Sequence, residues 1–222
     1  MRIGDTSVSE GTDSAGLRLN LLLAEAGLEP LDAGQAGRIE SYLSLLLRWN
    51  SSINLTAIRD EEGILRRHFV ESIVCARSLP VGIATLLDFG SGAGFPGIPI
   101  ALCRPEIAVT LAESQGKKAA FLNEAVRTLE VAAKVHSGRA EALRTVFDCV
   151  TLRAVDRMGV AVQAAARLVC PGGWLALMTT GNELNALKAA AGAKFTWRSV
   201  IQLPSSEDRL LALGEQALSS PS

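Results

Sequence analysis

A glycine-rich segment near the middle of the chain is the part of the sequence best suited to hold a ligand. Residues 86–97 have the sequence LLDFGSGAGFPG, with an apolar predicted strand at the start and a predicted helix directly after it. Glycines at alternate positions let the backbone approach a ligand closely, because no Cβ intervenes and positive φ angles carry no steric cost. Open α/β sheets bind nucleoside cofactors at such turns, between the carboxyl end of a strand and a helix N-terminus.

One interpretation of this turn is a dinucleotide site. Residues 92–97 match the spacing GxGxxG, in which backbone N–H groups at the start of the helix meet a pyrophosphate. Pro96 and Pro99 would each remove an N–H group from that stretch. The spacing alone is therefore weak support for a dinucleotide.

The other interpretation starts two positions before the first glycine, at Asp88, and continues through Gly90 and Gly92. An acidic residue in this position is typical of S-adenosylmethionine-dependent methyltransferases, whose cofactor carries no phosphate and needs no cradle of amides. The acidic group can instead meet the ammonium of the cofactor's methionine part. We favour this interpretation, with Asp88, Gly90 and Gly92 as cofactor-binding residues.

Glu113 ends the second predicted strand, 23 residues after Gly90. A carboxylate there can accept both hydrogen bonds of a ribose diol, because its two oxygens match the spacing of the two hydroxyls. For an isolated glutamate, a solvated strand end would be the better interpretation. The position one unit after the glycine turn favours ribose binding, and a ribose is common to both cofactor classes.

The loops after the third and fourth predicted strands supply further candidates. Arg139, Ala140 and Glu141 follow the third strand, where a doubly wound sheet would hold an adenine ring. An Arg–Glu pair on a surface turn explains these residues equally well. Arg153 ends the fourth strand, and its planar guanidinium suits contacts with a carboxylate, a phosphate or a guanine edge, so we prefer a site role for it.

The two histidines, His68 and His136, are too scattered to indicate a metal site or a catalytic triad. His68 follows Arg66 and Arg67 in a basic patch that could meet RNA phosphates, although a solvated helix face is the usual explanation of such a cluster. The four cysteines lie far apart beside apolar residues. This pattern favours buried thiols in a reducing compartment over metal ligation or disulfides.

The composition limits the class of protein. The 222 residues are 48% hydrophobic, enough for one α/β domain with an N-terminal extension. The formal net charge of -1 excludes a global electrostatic footprint for nucleic acid, so any RNA contact must use a local basic face. No apolar run approaches the roughly 18 residues of a membrane helix, and the N-terminus has no apolar signal core. We therefore expect a soluble, cytoplasmic protein.

Strands and helices alternate from residue 84 onward. The pattern predicts strands over 85–89, 108–112, 133–136, 147–152 and 173–178, and helices over 117–129, 158–169 and 183–191. Such alternation indicates an α/β fold with a doubly wound, mostly parallel sheet covered by helices on both faces. Segments 197–203 and 209–213 could close the sheet as an antiparallel pair.

Three predicted helices, at about 17–26, 36–50 and 61–79, precede the sheet. We divide the chain into a flexible N-terminal arm over 1–16, a helical cap over 17–82, an S-adenosylmethionine-binding domain over 83–216, and a flexible tail over 217–222.

Several short motifs occur along the chain in a particular order: RWNSSINLT at 48–56, RHFVES at 67–72, FPGIP at 95–99, GRAE at 138–141 and RAV at 153–155. Together they resemble the RsmG (GidB) family, the bacterial small-subunit ribosomal RNA guanine-N7 methyltransferases. The resemblance extends from about residue 19 to residue 181, and it is far more specific than the glycine turn alone.

The resemblance implies the Rossmann-like methyltransferase fold, S-adenosylmethionine as methyl donor and a guanine of 16S ribosomal RNA as acceptor. The cofactor contacts that it implies are Gly90, Phe95, Ala140, Glu141 and Arg153.

Four positions depart from the family pattern. Glu113 and Glu71 stand where the family more often has Asp, Leu152 stands where Ser usually precedes the arginine, and Thr180 stands where Lys is usual. The first change keeps the carboxylate of the cofactor site. The missing lysine removes a positive charge near the mouth of the site, which concerns RNA affinity or substrate choice.

Methylation at guanine N7 requires no general base, because this nitrogen carries an unprotonated lone pair at neutral pH. The task of such an enzyme is to hold the methyl group in line with N7 and to exclude water. We hypothesise that Arg153 is the catalytic residue, positioning cofactor or base without carrying a proton, and that Phe95 favours the positive charge developing on the guanine. Asn50 and Asn54 could line the acceptor pocket, or equally well cap the second helix.

Two other functions would share the cofactor site: methyl transfer to a small molecule or a protein, and nucleoside binding without catalysis. The basic residues Arg48, Arg59, Arg66 and Arg67 of the cap favour an RNA substrate. We expect 16S ribosomal RNA or the small ribosomal subunit as partner, with no metal and no membrane, and a monomer by default.

Overall fold

The computed structural model describes residues 14–204 and 206–218. Most of the predicted flexible arm and tail lies outside these residues. The arm as predicted is too long, however, because the first helix begins at Ala15. The Ser14 hydroxyl accepts a hydrogen bond from the Leu17 N–H group and so caps this helix before the apolar residues that the prediction used.

One sheet contains the strands of the described residues, and it confirms the predicted fold class. Its order is β3-β2-β1-β4-β5-β7-β6. β1 to β5 pair in parallel, whereas β7 runs antiparallel to both of its neighbours, which confirms the closing antiparallel pair. The strands are β1 (Thr85–Phe89), β2 (Ala108–Glu113), β3 (Ala133–Ser137), β4 (Phe147–Arg153), β5 (Val169–Thr180), β6 (Phe195–Gln202) and β7 (Arg209–Gln216).

Helices cover both faces of this sheet. The helical segments are α1 (Ala15–Glu25), α2 (Ala33–Asn50), α3 (Glu61–Ile64), a π-helical turn (Leu65–Val70), α4 (Glu71–Ser78), α5 (Gly97–Cys103), α6 (Gly116–Leu129), a 3₁₀ turn (Ala140–Ala142), α7 (Met158–Ala166) and α8 (Gly181–Ala191).

The predicted helix over 158–169 is wrong at its end. α7 stops at Ala166, and Val169 already belongs to β5, where it pairs with Phe147. Apolar residues at this boundary fit a buried strand as well as a helix, so periodicity does not separate the two. The Phe147 N–H group donates a hydrogen bond of 2.8 Å to the Leu168 carbonyl, and this bond joins the segment to the sheet.

Alternate residues of the strands face two hydrophobic clusters. Leu87 and Leu152 belong to the cluster beneath α7 and α8, whereas Leu86 and Leu111 belong to the cluster beneath the other helices. The second of these clusters also contains buried residues of α1 and α2, such as Tyr42. The helical cap therefore packs directly on the sheet through a shared core, and the boundary at 82/83 stays a prediction.

The helical run that the sequence predicts over 61–79 contains one irregular turn. Residues Leu65–Val70 form a π-helical turn between α3 and α4. A π-turn inserts one residue into a helix and changes which side chains share a face, and such turns occur frequently at functional sites. Here Phe69 is fully buried and His68 is half-buried, whereas Arg66 lies outside in ion pairs with Glu25 and Glu62.

The strand order reverses between β1 and β4, since β1 lies between β2 and β4. In open α/β sheets, the ligand crevice lies outside the carboxyl ends of the strands at such a reversal. The glycine turn leaves β1 at that point, with the cap above it.

Candidate active site

A cavity of about 720 Å³ opens at this reversal point, within the range typical of small-molecule sites. Seven of the eight predicted site residues line it: Gly90, Gly92, Phe95, Glu113, Ala140, Glu141 and Arg153. The cap contributes Thr56, Arg67 and His68, and β7 contributes Arg209. The cavity therefore brings together residues that are more than 150 positions apart in the sequence, from Leu55 to Arg209.

The glycine turn has the backbone conformation that its sequence predicts. Gly90, Gly92 and Gly94 adopt φ angles of 73°, 57° and 90°, a region that other residues rarely occupy. A Cβ at Gly94 would lie 2.6 Å from the Tyr42 hydroxyl oxygen. This hydroxyl donates a hydrogen bond to the Ala93 carbonyl, so the cap holds the turn directly.

Asp88 does not line the cavity, which corrects its predicted contact with the cofactor. Its side chain is buried behind the turn, where the carboxylate accepts hydrogen bonds from the Gly97 N–H group at 3.2 Å and the Thr151 hydroxyl at 3.0 Å. Strand alternation turns residue 88 toward the face covered by α5. Burial raises the pKa of Asp88 to about 6, although its hydrogen bonds act in the opposite direction. Asp88 therefore fixes the turn to β4 and to the start of α5.

Glu113 lies on the cavity wall with its side chain mostly buried. One carboxylate oxygen accepts a hydrogen bond from the Gly92 N–H group at 2.9 Å, and the other accepts one from the Gln115 N–H group at 2.7 Å. Each oxygen of a carboxylate has capacity for a second hydrogen bond. The carboxylate is thus fixed in place and can still accept hydrogen bonds from two hydroxyls.

The loop after β3 extends the wall beyond Glu113. Ala140 begins the 3₁₀ turn and is buried, whereas Arg139 and Glu141 on either side of it are exposed and also line the cavity. Neither of these two charged residues takes part in an ion pair of the described residues. The surface ion pair proposed as the alternative for this loop is therefore absent from the described part of the chain.

Three arginines converge on one buried carboxylate at the opposite end of the cavity. Arg209 binds Glu71 through two hydrogen bonds of 2.8 and 2.7 Å, and Arg153 contributes a third at 3.1 Å. The Arg67 Nε atom lies 3.5 Å from the same carboxylate, which has no exposed surface. One negative charge thus faces three positive charges, and the cluster is a region of positive potential.

Arg153 is part of this cluster, and its side chain is almost fully buried. Burial lowers the pKa of Arg153 to about 10, the Glu71 carboxylate opposes that shift, and Arg209 and Arg67 add to it. The guanidinium therefore stays charged at neutral pH, where it is poorly suited to give up or accept a proton. It also donates a hydrogen bond to the Arg67 carbonyl, which ties the end of β4 to the cap.

Thr180 stands where the family pattern has lysine, and it is not among the residues that line the cavity. Its hydroxyl donates a hydrogen bond to Glu183. The residue directly opposite on β7 is Arg209, whose guanidinium does reach the cavity. The strand pair β5–β7 therefore still presents one cation to the site.

Aromatic rings stack between the cap and the glycine turn. Phe95 stacks with Tyr42 at a ring-centroid distance of 5.1 Å and with His68 at 4.9 Å, both at interplanar angles of 22°. Phe69 packs against Phe95 edge to face. The Phe95 side chain is thereby almost fully buried, while His68 stays partly open to the cavity.

The His68 ring is fixed by its Nε2 atom, which lies 2.7 Å from the Thr56 hydroxyl. The Nδ1 atom is buried and has no hydrogen-bond partner among the described residues. Burial lowers the pKa of His68 to about 3, and Arg153, Arg209 and Arg67 add to this effect. The imidazole is therefore neutral at physiological pH.

Sequence reasoning missed several residues of the site. His68 and Arg67 lie in the motif RHFVES, and the sequence pattern indicates for them only a basic patch for RNA phosphates or a solvated helix face, not a part of the cavity wall. Glu71 and Arg209 are 138 positions apart, and no local pattern joins them. Asn50 accepts hydrogen bonds from the backbone of the following loop, so the structural role proposed for it is correct. Neither Asn50 nor Asn54 lines the cavity.

Residues 14–204 and 206–218 contain neither a cluster of potential metal ligands nor a membrane-spanning helix. No group of three or more His, Cys, Asp or Glu side chains in this part could hold a metal ion. None of its helices combines the length and the apolar character that crossing a membrane requires.

Comparison with known proteins places the chain in a family. The model of the GidB family, described as rRNA small subunit methyltransferase G, matches residues 35–209. A protein of Xanthomonas euvesicatoria pv. vesicatoria named ribosomal RNA small subunit methyltransferase G is 44% identical over 159 residues, which are 69% of this chain and 74% of that protein.

Solved structures agree on the fold. A methyltransferase from Pyrococcus furiosus superposes with a TM-score of 0.60 at 12% identity, over 84% of this chain and 100% of that one. A SAM-dependent methyltransferase from Aquifex aeolicus gives a TM-score of 0.56 at 15% identity, over 70% of this chain and 93% of that one. With the fold, the cavity and the sequence match in agreement, the chain belongs to the GidB family of rRNA small subunit methyltransferases.

Proposed function

We propose that this protein transfers a methyl group from S-adenosylmethionine to N7 of a guanine in 16S ribosomal RNA. One observation carries the proposal. The family match covers residues 35–209, and every residue that lines the cavity lies between Leu55 and Arg209. The whole cavity is thus built from the part of the chain that defines the family.

The residues of the cavity fit a nucleoside cofactor. The glycine turn leaves room for close approach, and the Glu113 carboxylate is fixed by two backbone N–H groups with capacity left for a ribose diol. We assign the adenine end to the loop at Ala140 and Glu141, which lies beyond Glu113 in the sheet order. Gly90, Gly92 and Phe95 then line the methionine end, with Asp88 holding their turn from behind.

The chain's own residues bind and orient, and none is required to move a proton. S-adenosylmethionine supplies an electrophilic sulfonium methyl group, so positive charge passes to the guanine on transfer. Guanine N7 offers a free lone pair, and the charged Arg153 is poorly suited to remove a proton. We assign Arg153 to positioning at the methyl-transfer end, with catalysis arising from alignment and exclusion of water.

An RNA substrate agrees with the charges around the cavity. Its lining contains the cations Arg67, Lys118, Arg139, Arg153, Arg157 and Arg209, against the carboxylates Glu113, Glu141 and Asp156. The chain as a whole has a net charge of -1. The excess of positive charge is thus local, as a protein that binds phosphates at one face requires. We propose the small ribosomal subunit in the bacterial cytoplasm as the partner and a monomer as the acting form.

Methyl transfer to unmodified ribosomal particles tests the proposal. Purified protein is incubated with tritiated S-adenosylmethionine and small subunits that lack the modification, and the RNA is digested and analysed for 7-methylguanosine by mass spectrometry. We expect label in 16S RNA only. Naked 16S RNA, free nucleosides and protein extracts serve as comparators, and label in protein or nucleosides but not in RNA would contradict the proposal.

A further inference from the structure

The order of the strands divides the cavity into two ends. Ala140 follows β3 and Glu113 ends β2, so the proposed adenosine contacts lie on the side of β3 and β2. Arg153 ends β4 and Arg209 begins β7, on the opposite side of β1. The acceptor must therefore enter from the β4 and β7 side, beneath the part of the cap that carries Arg67 and His68.

His68 lines the cavity at that end. Phe95 and Tyr42, the rings behind it in the stack, are at most 6% exposed, whereas His68 is partly exposed and lines the cavity. The π-helical turn places the imidazole here, because a regular helix would distribute the side chains of residues 65–70 differently.

The imidazole is held in one orientation before any ligand arrives. Stacking on Phe95 fixes its plane, and the Thr56 hydroxyl fixes its Nε2 edge at 2.7 Å. The Thr56 hydroxyl oxygen in turn accepts a hydrogen bond from the Ile58 N–H group at 3.1 Å. A preorganised aromatic surface loses little entropy when a flat ligand stacks on it.

The charge of this ring matters for a base that becomes cationic. Methylation at N7 leaves a positive charge on the guanine, and a cationic neighbour in face-to-face contact would oppose it. Burial and the three nearby arginines keep the pKa of His68 at about 3, so the ring is an uncharged surface within a cationic cluster.

We propose that the His68 imidazole is the surface on which the acceptor guanine stacks for methyl transfer, with Thr56 holding the ring in place. The inference rests on the proposed function and adds a specificity-determining residue to it. Stacking on a fixed ring selects a flat base that has left its own helix, as enzymes that modify bases require. Arg67 and Arg209 beside the ring would then contact the flanking phosphates.

Substitutions at His68 test the inference. We expect His68→Ala to lower kcat/KM for small subunits by roughly 5- to 150-fold, corresponding to the loss of about 1–3 kcal/mol of stacking. We expect His68→Phe, which keeps a ring but not the bond to Thr56, to recover activity to within about threefold of the wild type. The affinity for S-adenosylhomocysteine, measured by calorimetry, should stay the same in both variants.

Glu62→Ala is the control, because Glu62 lies on α3 directly before the π-turn, is exposed, and pairs with Arg66 outside the cavity. It should leave kcat/KM unchanged. A His68→Ala enzyme that equals the wild type, or a His68→Phe enzyme as impaired as His68→Ala, would overturn the inference. If instead the wild type itself fails to methylate small subunits, the proposed function fails, and the two outcomes are thereby separated.

A measurement on the wild type does not depend on the folding of a variant. The sequence contains only two histidines, so the imidazole resonances of His68 and His136 can be resolved in a ¹³C-labelled sample. With S-adenosylhomocysteine present, 7-methylguanosine monophosphate titrated to its solubility limit should shift the His68 signals upfield and leave those of His136 in place. Absence of any His68 shift would contradict the stacking contact.

Discussion

Among the single residues, Asp88 has a carboxylate whose charge is costly to bury. Its pKa rises from 3.8 to about 6 on folding, so the native state binds a proton more tightly than the unfolded state does. The contribution of this group to the free energy of unfolding is therefore highest below pH 4, and it falls as the pH rises from about 4 to about 6. Across this window, the free energy of unfolding loses on the order of 3 kcal/mol from this group.

Asp88→Asn should remove this contribution while keeping the size of the side chain. The measurement is urea unfolding of both proteins between pH 4 and pH 8. We expect the stability difference, variant minus wild type, to shift in favour of the variant as the pH rises through this window. A difference that does not depend on pH would contradict the assignment.

Glu113 is expected to contribute directly to cofactor affinity. Glu113→Gln keeps the length of the side chain but replaces an acceptor oxygen by a donor, so one backbone N–H group and one ribose hydroxyl lose their acceptor. Hydrogen bonds to charged groups contribute about 1.5–3 kcal/mol, so the Kd of S-adenosylhomocysteine should rise by roughly 10- to 150-fold. Glu113→Asp, which restores the residue usual in the family, is the control and should bind within about tenfold of the wild type. Equal affinity of Glu113→Gln and wild type would exclude the ribose contact.

Arg153 is expected to position reactants and not to transfer protons. Arg153→Lys keeps the charge but loses the planar guanidinium that bonds Glu71 and the Arg67 carbonyl, so kcat should fall by about 100-fold through misplacement of the reacting groups. The pH profile between pH 6 and pH 8 should keep its shape, because the arginine is charged throughout this range. Full activity of Arg153→Ala with normal cofactor binding would refute the role.

At the scale of elements, the glycine turn depends on backbone conformation more than on side chains. Gly94→Ala would force a Cβ into the left-handed region at φ 90°, and to within 2.6 Å of both the Tyr42 hydroxyl and the Ile98 side chain. We expect a loss of at least about 2 kcal/mol in the free energy of unfolding, with weaker binding of S-adenosylhomocysteine.

Gly116→Ala provides the comparison for this element. Gly116 is the first residue of α6, and an added Cβ there meets no atom within 4 Å. The substitution should be neutral or slightly stabilising by thermal unfolding. Similar losses in the two variants would mean that the special conformation at Gly94 is not the cause.

The same elements show how far sequence patterns reach. The strand β1 and the turn after it could be predicted, because strand periodicity and the steric freedom of glycine are local properties. The π-helical turn could not be predicted, since Leu65–Val70 has the apolar spacing of an ordinary helix. Packing of Phe69 and of His68 against Phe95 compensates for the irregular backbone, and these contacts join parts of the chain 26 and 27 positions apart.

At the scale of the whole molecule, charge is distributed unevenly. The cations at the cavity, among them Lys118 and Arg157, exceed the carboxylates there, while the net charge of the chain is -1. Binding of RNA should therefore weaken with salt, because contacts with phosphates release counterions.

A double variant, Lys118→Ala with Arg157→Ala, should bind RNA more weakly and with a smaller salt dependence. The slope of log K against log salt should fall by about 0.7–0.9 for each phosphate contact removed, measured by filter binding to 16S RNA fragments. Arg127→Ala, a substitution on the exposed side of α6 outside the cavity, should leave the slope unchanged. An unchanged slope in the double variant would place the RNA elsewhere.

The sequence by itself determined the α/β fold, the glycine turn, the carboxylate at Glu113 and the arginine at Arg153. Each of these follows from a local pattern: strand periodicity, conformational freedom, or a charged residue at a strand end. Only the tertiary structure decided that Asp88 faces away from the cavity, that His68 stacks on Phe95, and that Arg209 joins Arg153 on Glu71. These contacts depend on which side of a strand faces the core and on which distant elements meet, and both are set by packing of the whole chain.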